Sequence, residues 1–479
     1  MTIPAPIAKA GAAPAPTLTL AQFAASLQGD TLPPDIKTTL GDLFLDYLRV
    51  ASIGAEMPWS VWADSYMASL GGPGGAAVLF RPKRRDAVRA AFLNATYAGS
   101  IDADDTHVGS MLHPGSIVFS AALALADEVG AGGKDFIAAV AAGYEAMIRI
   151  GLSIQPSHFQ RGFQSTATCG GFGAAVAAAR LAFNGKQDAD HKIASSIGLV
   201  ASFSGGLTQF YKSGSTVKRI HAARAAENGV AAALLARQGF TGPEDILEGA
   251  NGFARAYADA ADLGIVTSGL GSDYLLREVT VKGHACSARV QAAVEGILDL
   301  CKKNHIDPHD VADVFVGIPA VILGRLTIPK PIDLQAAQMS LPHSAALAVT
   351  MAEIAEDGFA LSVTDYESSL NDPRVKQIEA RVRCEVDPEV EAATTAEAVP
   401  ARVIITVKDG TKHSTFVSAP KGSPSRPFTH DDHIARFRRE LTKRLTGKTC
   451  DEIVEIAENL ADLDKVKRIT DLLAVARAC

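Results

Sequence analysis

Between residues 102 and 113 the chain reads Asp102-Ala-Asp104-Asp105-Thr106-His107-Val-Gly-Ser-Met-Leu-His113, with Pro114-Gly115 following at once. Carboxylates between apolar segments must be paired, hydrogen-bonded or protonated. Placed beside imidazoles, they point to proton transfer, to a metal, or to a heavily capped helix start. Imidazole titrates near neutral pH, which makes His113 the best general acid/base candidate, and Asp102 or Asp105 could fix its ring. Asp104, Asp105 and Thr106 are also ordinary turn and N-cap residues, so a scaffold and a reactive site are both open at this point. Asp104 and His107 are the members that fit scaffold best.

The elements that must position this cluster are helices. From about residue 18 to 270 the apolar spacing is mainly helical and rich in alanine, predicting helices over 20–27, 36–52, 86–98, 117–129, 134–154, 170–183, 190–204 and 222–237. Gly71-Gly-Pro-Gly-Gly75 and the 130–133 and 239–243 turns punctuate them. After Gly269 the texture changes. Segments 277–282, 313–318, 378–386 and 401–407 read as strands, and Lys408-Asp409-Gly410 reads as a hairpin turn leading to a strand at 412–417. Helices are expected between them at 288–303 and 344–356. The expectation is a mainly α protein: a disordered extension over 1–17, a large all-helical domain over 18–272, a smaller inserted α+β lid domain over 273–425, and C-terminal helices over 426–479 that return to the helical domain.

Composition excludes several classes of function. The 46 Lys and Arg against 53 Asp and Glu give a net charge of −7, which offers no global field for nucleic acid or an anionic membrane, so an anionic ligand needs a local basic pocket. The six cysteines are scattered without a CxxC pair, which indicates neither a disulfide framework nor a zinc site and fits a reducing cytoplasm. No apolar run reaches the roughly 18 to 20 uncharged residues that span a bilayer. The proline-broken start lacks the features of a secretion signal. Gly170-Gly-Phe-Gly173 lacks a preceding strand and a phosphate-loop pattern, and reads as close helix packing.

Several further motifs occur in order along the chain. They are the cluster with His113-Pro-Gly, Gly143-Tyr-Glu-Ala-Met, Phe159-Gln-Arg-Gly-Phe-Gln164, Gly214-Ser-Thr-Val-Lys218-Arg219-Ile-His221, Lys282-Gly-His-Ala-Cys-Ser287 and Gln338-Met-Ser-Leu-Pro-His343. In that order and spacing they resemble the MmgE/PrpD family, which includes 2-methylcitrate dehydratase, cis-aconitate decarboxylase and iminodisuccinate epimerase. The resemblance implies a cleft between the two domains, a homodimer, small di- or tricarboxylate substrates, and neither metal nor organic cofactor. It also implies that Asp102, Thr106 and His113 shape the pocket, that Lys218, with Arg219 and His221 beside it, supplies positive charge, and that Lys282 is the basic residue of the lid. A bound carboxylate needs such cations and donors in place of its hydration.

Three positions depart from the family pattern. Gln164 replaces a histidine by an amide that can bind but cannot shuttle a proton. Ser287 stands where some members have histidine or a second cysteine, with Arg289 and Gln291 where a further histidine is common. His343 replaces a tyrosine and could restore an acid/base group. The site expected is therefore His113, Lys218, Asp102 and His343 for catalysis, with Thr106, Gln164, Arg219, His221, Lys282 and Ser287 binding substrate. The reaction expected is a cofactor-independent lyase, foremost a dehydratase of the 2-methylcitrate type. An epimerase or isomerase of a dicarboxylate, a decarboxylase and a non-catalytic carboxylate-binding homologue are the alternatives.

Overall fold

A computed structural model describes residues 15–352 and 361–474. The extension expected over 1–17 falls mostly outside them. Its last two positions instead open helix α1 (Pro16–Ser26), where buried Thr17 donates its hydroxyl to Glu248. Prolines fit that first turn and that of α2 (Pro34–Gly54), because the first-turn N–H groups have no intrahelical partner. The helical part continues with α3 (Ala87–Ala98), α4 (Gly115–Val129), α5 (Gly133–Ser153), α6 (Ser165–Ala182) and α7 (Lys218–Arg237).

Small residues bring these helices together. α7 packs on α3 and α6, and α5 packs on α6. A Cβ at Gly143 would lie 2.7 Å from Val118 Cγ1 and 2.9 Å from the Gly173 carbonyl oxygen, so this glycine is required by the approach of α5 to α4 and α6. Gly143→Ala is expected to cost about 1–3 kcal/mol by overpacking, read as a lower urea midpoint at unchanged slope. By length and composition α5 could cross a membrane, but 94% of its apolar window is buried inside the protein. It carries a buried Arg149–Glu145 pair at 2.9 Å, and Glu145 also accepts from the backbone N–H of Leu276.

The α+β part holds β1 (Val311–Ile318), β2 (Val382–Val386), β3 (Ala401–Val407) and β4 (Lys412–Val417) in one sheet of order β2-β1-β3-β4. β1 and β2 are parallel, while β3 is antiparallel to both β1 and β4. A parallel pair needs a long crossover. The β1-to-β2 connection supplies the loop 319–333, and α9 (Leu341–Met351) stands beside α8 (Gln291–Asn304), which covers β3 and β4. The chain then returns through α10 (His430–Leu441) and α11 (Gly447–Glu458), both packed on α2.

Three local expectations are corrected, and one helix was not foreseen. Residues 277–282 form no strand: a 3-10 turn, Leu275–Glu278, precedes a single bridge in which Thr106 and Thr280 each donate N–H to the other's carbonyl at 2.8 Å. That segment pairs with the 102–113 loop rather than with the sheet. The start of 378–386 closes a helix, Pro373–Glu379, and the strand begins only at Val382. The helix expected over 344–356 begins earlier, at Leu341, and residues 353–360 lie outside the described residues. Helix Pro58–Ser69 gives little amphipathic signal because Val61, Trp62 and Tyr66 are exposed.

Candidate active site

The 102–113 loop is held from both halves of the chain. Asp102 adopts φ +54°, a left-handed backbone uncommon outside glycine. Lys282 Nζ fixes it there, donating to the Asp102 carbonyl at 3.0 Å and to Oδ1 at 2.8 Å, while Lys218 Nζ donates to Oδ2 at 2.8 Å. Burial alone would raise the pKa of this carboxyl, but the two ammoniums outweigh it and hold it well below the usual carboxylate range. Lys218 is lowered by burial, although Asp102 opposes this. For Lys282 the depressing effect of burial is overcome by Asp102 and Asp104, so its pKa is raised. The result is a buried Lys282–Asp102–Lys218 ion triad with Lys218, at the first turn of α7, facing open space.

A second ionic group stands behind the triad. Arg436 of α10 donates to the Lys282 carbonyl at 2.6 Å, and Arg49 of α2 donates to the Ala103 carbonyl at 3.3 Å. Asp46 joins the two arginines, at 2.9 Å from Arg49 and 3.8 Å from Arg436. The returning C-terminal helix thus fixes the backbone at Lys282, and α2 fixes the backbone beside Asp102.

His113 Nδ1 faces three acceptors: Thr106 Oγ1 at 2.9 Å, the Asp105 carbonyl oxygen at 3.0 Å and Asp104 Oδ1 at 3.5 Å. These require the proton on Nδ1, which leaves Nε2 as a lone pair with no partner among the described residues. Burial pushes the ring down to about 4, with Lys282 and Lys218 adding to the depression and Asp104 opposing it. At neutral pH His113 is an uncharged base. Asp105 does not orient it by its side chain, because its carboxyl accepts from the Gly115 N–H and the Tyr144 hydroxyl, each at 2.8 Å, and caps α4. Burial raises that carboxyl to about 7. Asp104, expected to be scaffold, is the carboxylate nearest the ring. His107 bonds Ser110 and Glu278 and is scaffold.

Single ligand atoms of Asp102, Asp104 and His113 lie within 4.8 Å of one another, as a cation site would require. Both Asp102 oxygens already accept from a lysine ammonium and Lys282 is 3.8 Å from Asp104, so the protein's own cations occupy that role.

Asp102, Thr106, His113, Gln164, Lys218 and Ser287 line one cavity of about 360 Å³ between the helical part and the α+β part. Gln164 caps α6 through its Oε1, 2.7 Å from the Ala167 N–H, and Ser287 caps the turn carrying Arg289. The other four expected residues lie outside the cavity. Lys282 is buried behind Asp102. Arg219, one residue around the helix from Lys218, turns away to Gln338 and to the Trp59 ring, 4.8 Å from its centroid. His221 packs edge-on against Phe210 with its centroid 5.7 Å away. His343 is buried between Ser369 at 2.7 Å and Glu379 at 3.5 Å. The cavity wall also holds Tyr211, Arg289 and Arg325, which were absent from the expected set. Arg289 was visible as a departure in the lid motif, but nothing in the sequence placed Arg325.

The buried imidazoles have a consequence for stability. Burial lowers His113, His158 and His221 to about 4 and His284 to about 3, against 6.5 ordinarily. Below pH 6.5 the unfolded chain binds protons that the folded chain refuses, so stability is complete above that pH and is lost as pH falls toward 4. Asp105 acts oppositely, its contribution being lost as pH rises through about 7. The buried carboxylates of Asp46 and Asp102, held below their ordinary range by neighbouring cations, act in the same direction as the imidazoles, and net acid lability is expected. Thermal melts are expected to show a midpoint that falls steadily from pH 7 to pH 4.

Residues 18–265 match the MmgE/PrpD N-terminal domain and residues 284–462 match the MmgE/PrpD C-terminal domain. Among curated relatives, the chain is 24% identical over 489 residues to the cis-aconitate decarboxylase-like protein oryM of Aspergillus oryzae, covering 96% of each chain. It is 26% identical to a cis-aconitate decarboxylase of Aspergillus terreus over 95% of each chain, and 24% identical to the cis-aconitate decarboxylase of Homo sapiens over 80% of this chain and 79% of that one.

Proposed function

Because the chain belongs to the MmgE/PrpD family, we propose that it is a cofactor-independent lyase of a small polycarboxylate, worked by general acid/base chemistry in the cavity between its two parts. The observation that carries this reading is the pairing of a neutral His113, its Nε2 open to the cavity, with the ammonium of Lys218 in the same wall. That is a base and an acid held apart by a permanently ionised Asp102.

In the elimination this pair suits, His113 Nε2 takes the proton from a carbon next to a substrate carboxylate. The electron pair of the broken C–H bond forms the C=C bond, the C–O bond breaks, and Lys218 protonates the departing hydroxide to water. Lys218 also neutralises the charge that develops on the carboxylate, usually the largest catalytic contribution. Thr106 and the Asp105 carbonyl hold the ring in the required tautomer. Closure of the α+β part over the cavity, hinged at 269–273 and 420–427, would exclude water.

A second reading comes from the relatives, which carry the name cis-aconitate decarboxylase. In it a C–C bond breaks, carbon dioxide leaves, the electron pair spreads into the remaining unsaturated carboxylate, and Lys218 returns a proton to carbon. Epimerisation has less support, since it needs acid/base groups on opposite faces of one carbon, Gln164 is an amide and His343 and His221 lie outside the cavity.

The test is incubation of the purified protein with citrate, 2-methylcitrate, cis-aconitate and iminodisuccinate, read by proton NMR. An alkene formed with loss of water supports the elimination, and carbon dioxide release supports the second reading. Turnover of none of these acids would contradict the proposal.

A further inference from the structure

Arg289 and Arg325 are the two cationic side chains lining the cavity that the acid/base chemistry leaves unused. Arg289 follows the Ser287-capped turn into α8, and Arg325 lies in the crossover loop after β1, so separate segments deliver both guanidiniums to one cavity wall. Among the described residues neither guanidinium has a carboxylate or hydrogen-bond acceptor. Buried arginines elsewhere each have at least one acceptor: Arg49 has Asp46, Arg149 has Glu145 and Arg180 has Asn184.

The two also burden each other. Burial lowers the pKa of Arg289, and the neighbouring charge of Arg325 lowers it further. Arg289 is partly buried and Arg325 exposed, so two like charges share one cavity wall without a counter-ion, and an anion that accepts from both relieves their repulsion. Arg325 also lies over the Phe159 ring, its guanidinium carbon 5.1 Å from the centroid, which helps hold it at the cavity wall. Tyr211 lies within electrostatic reach of Asp102 and of both arginines, so the pair shares the cavity with the triad. Ile322, Leu326, Ile328 and Met339 provide an apolar wall.

We propose that Arg289 and Arg325 form a carboxylate subsite separate from Lys218, which holds a remote carboxylate of the substrate while the carbon next to another carboxylate reacts at His113. The inference rests on the lyase reading above and narrows it. The substrate carries at least two carboxylates joined by a hydrocarbon stretch that lies along the apolar wall, and a monocarboxylate fails to engage both ends. Binding energy from the remote carboxylate then orients the reacting carbon.

Calorimetric titration with tricarballylate, an unreactive tricarboxylate, tests the subsite. The double variant Arg289→Gln/Arg325→Gln is expected to bind it at least about tenfold more weakly than wild type. Arg325→Lys, which keeps the charge but loses the fork, should fall between the two. Neither arginine has a carboxylate or hydrogen-bond acceptor among the described residues to lose, and Arg325 gives up only its exposed contact with the Phe159 ring, so thermal midpoints should stay close to wild type, and the single variants carry the test if the double variant does not. Affinity of the double variant within about twofold of wild type would overturn the subsite and leave the proposed function standing. A wild type that binds no tricarballylate and turns over no polycarboxylate would overturn both.

Discussion

Replacing Lys282 by methionine is expected to lower the unfolding free energy by about 3 kcal/mol, because removing one partner of a buried ion pair leaves charge without compensation. Lys282 has no exposed side-chain surface, and it is the donor to both the carbonyl and the carboxylate of Asp102. Methionine fills much of the volume but donates nothing. The loop would then lose the contact that holds Asp102 at positive φ, and Lys218 would be the one remaining cation on its carboxylate. Urea unfolding should show a lower midpoint with an unchanged slope. Lys218→Met should cost less, since Lys218 is partly open to the cavity and Lys282 stays in place. Equal and small effects of the two variants would contradict the placement of Lys282 as the anchor of the triad.

His113→Asn is expected to lower kcat by about 100- to 10,000-fold, the usual loss for a positioned acid/base group. Asparagine keeps a donor for the Asp105 carbonyl, so the loop should hold and tricarballylate should bind with little change. The pH dependence gives an independent signature. The base works when deprotonated, and its pKa is pushed down to about 4, so kcat/KM should rise with pH through that region and level off well below neutrality. The variant should lose this acid limb. Because folding also weakens toward pH 4, circular dichroism at each pH is needed to separate the two effects.

Sequence spacing carried the helical part, because long alanine-rich apolar segments punctuated by glycine and proline turns run through it. It misread 277–282, where alternating residues serve a two-residue bridge to the site loop. Periodicity cannot tell a strand's partner. At the site, Asp102, Thr106 and His113 were legible because they are close in sequence, and Lys218 because it begins a helix in a recognisable motif. Arg219 was misplaced by sequence adjacency: one residue along a helix turns the side chain by about 100°. His343 fitted the idea of a replaced acid/base group, yet its helix buries it against Ser369 and Glu379. Arg325 left no signal, since a lone arginine on a loop looks like any solvated charge until the fold brings it beside Arg289.

The most direct test of His113 as the base is hydrogen exchange in heavy water, following by proton NMR the carbon next to the carboxylate of whichever polycarboxylate the protein turns over. Wild type should place solvent deuterium on that carbon of the recovered substrate, or release its proton to solvent on forming the alkene. His113→Asn should do neither while still binding tricarballylate. Exchange or proton release in His113→Asn at the wild-type rate would contradict the assignment of His113 as the base.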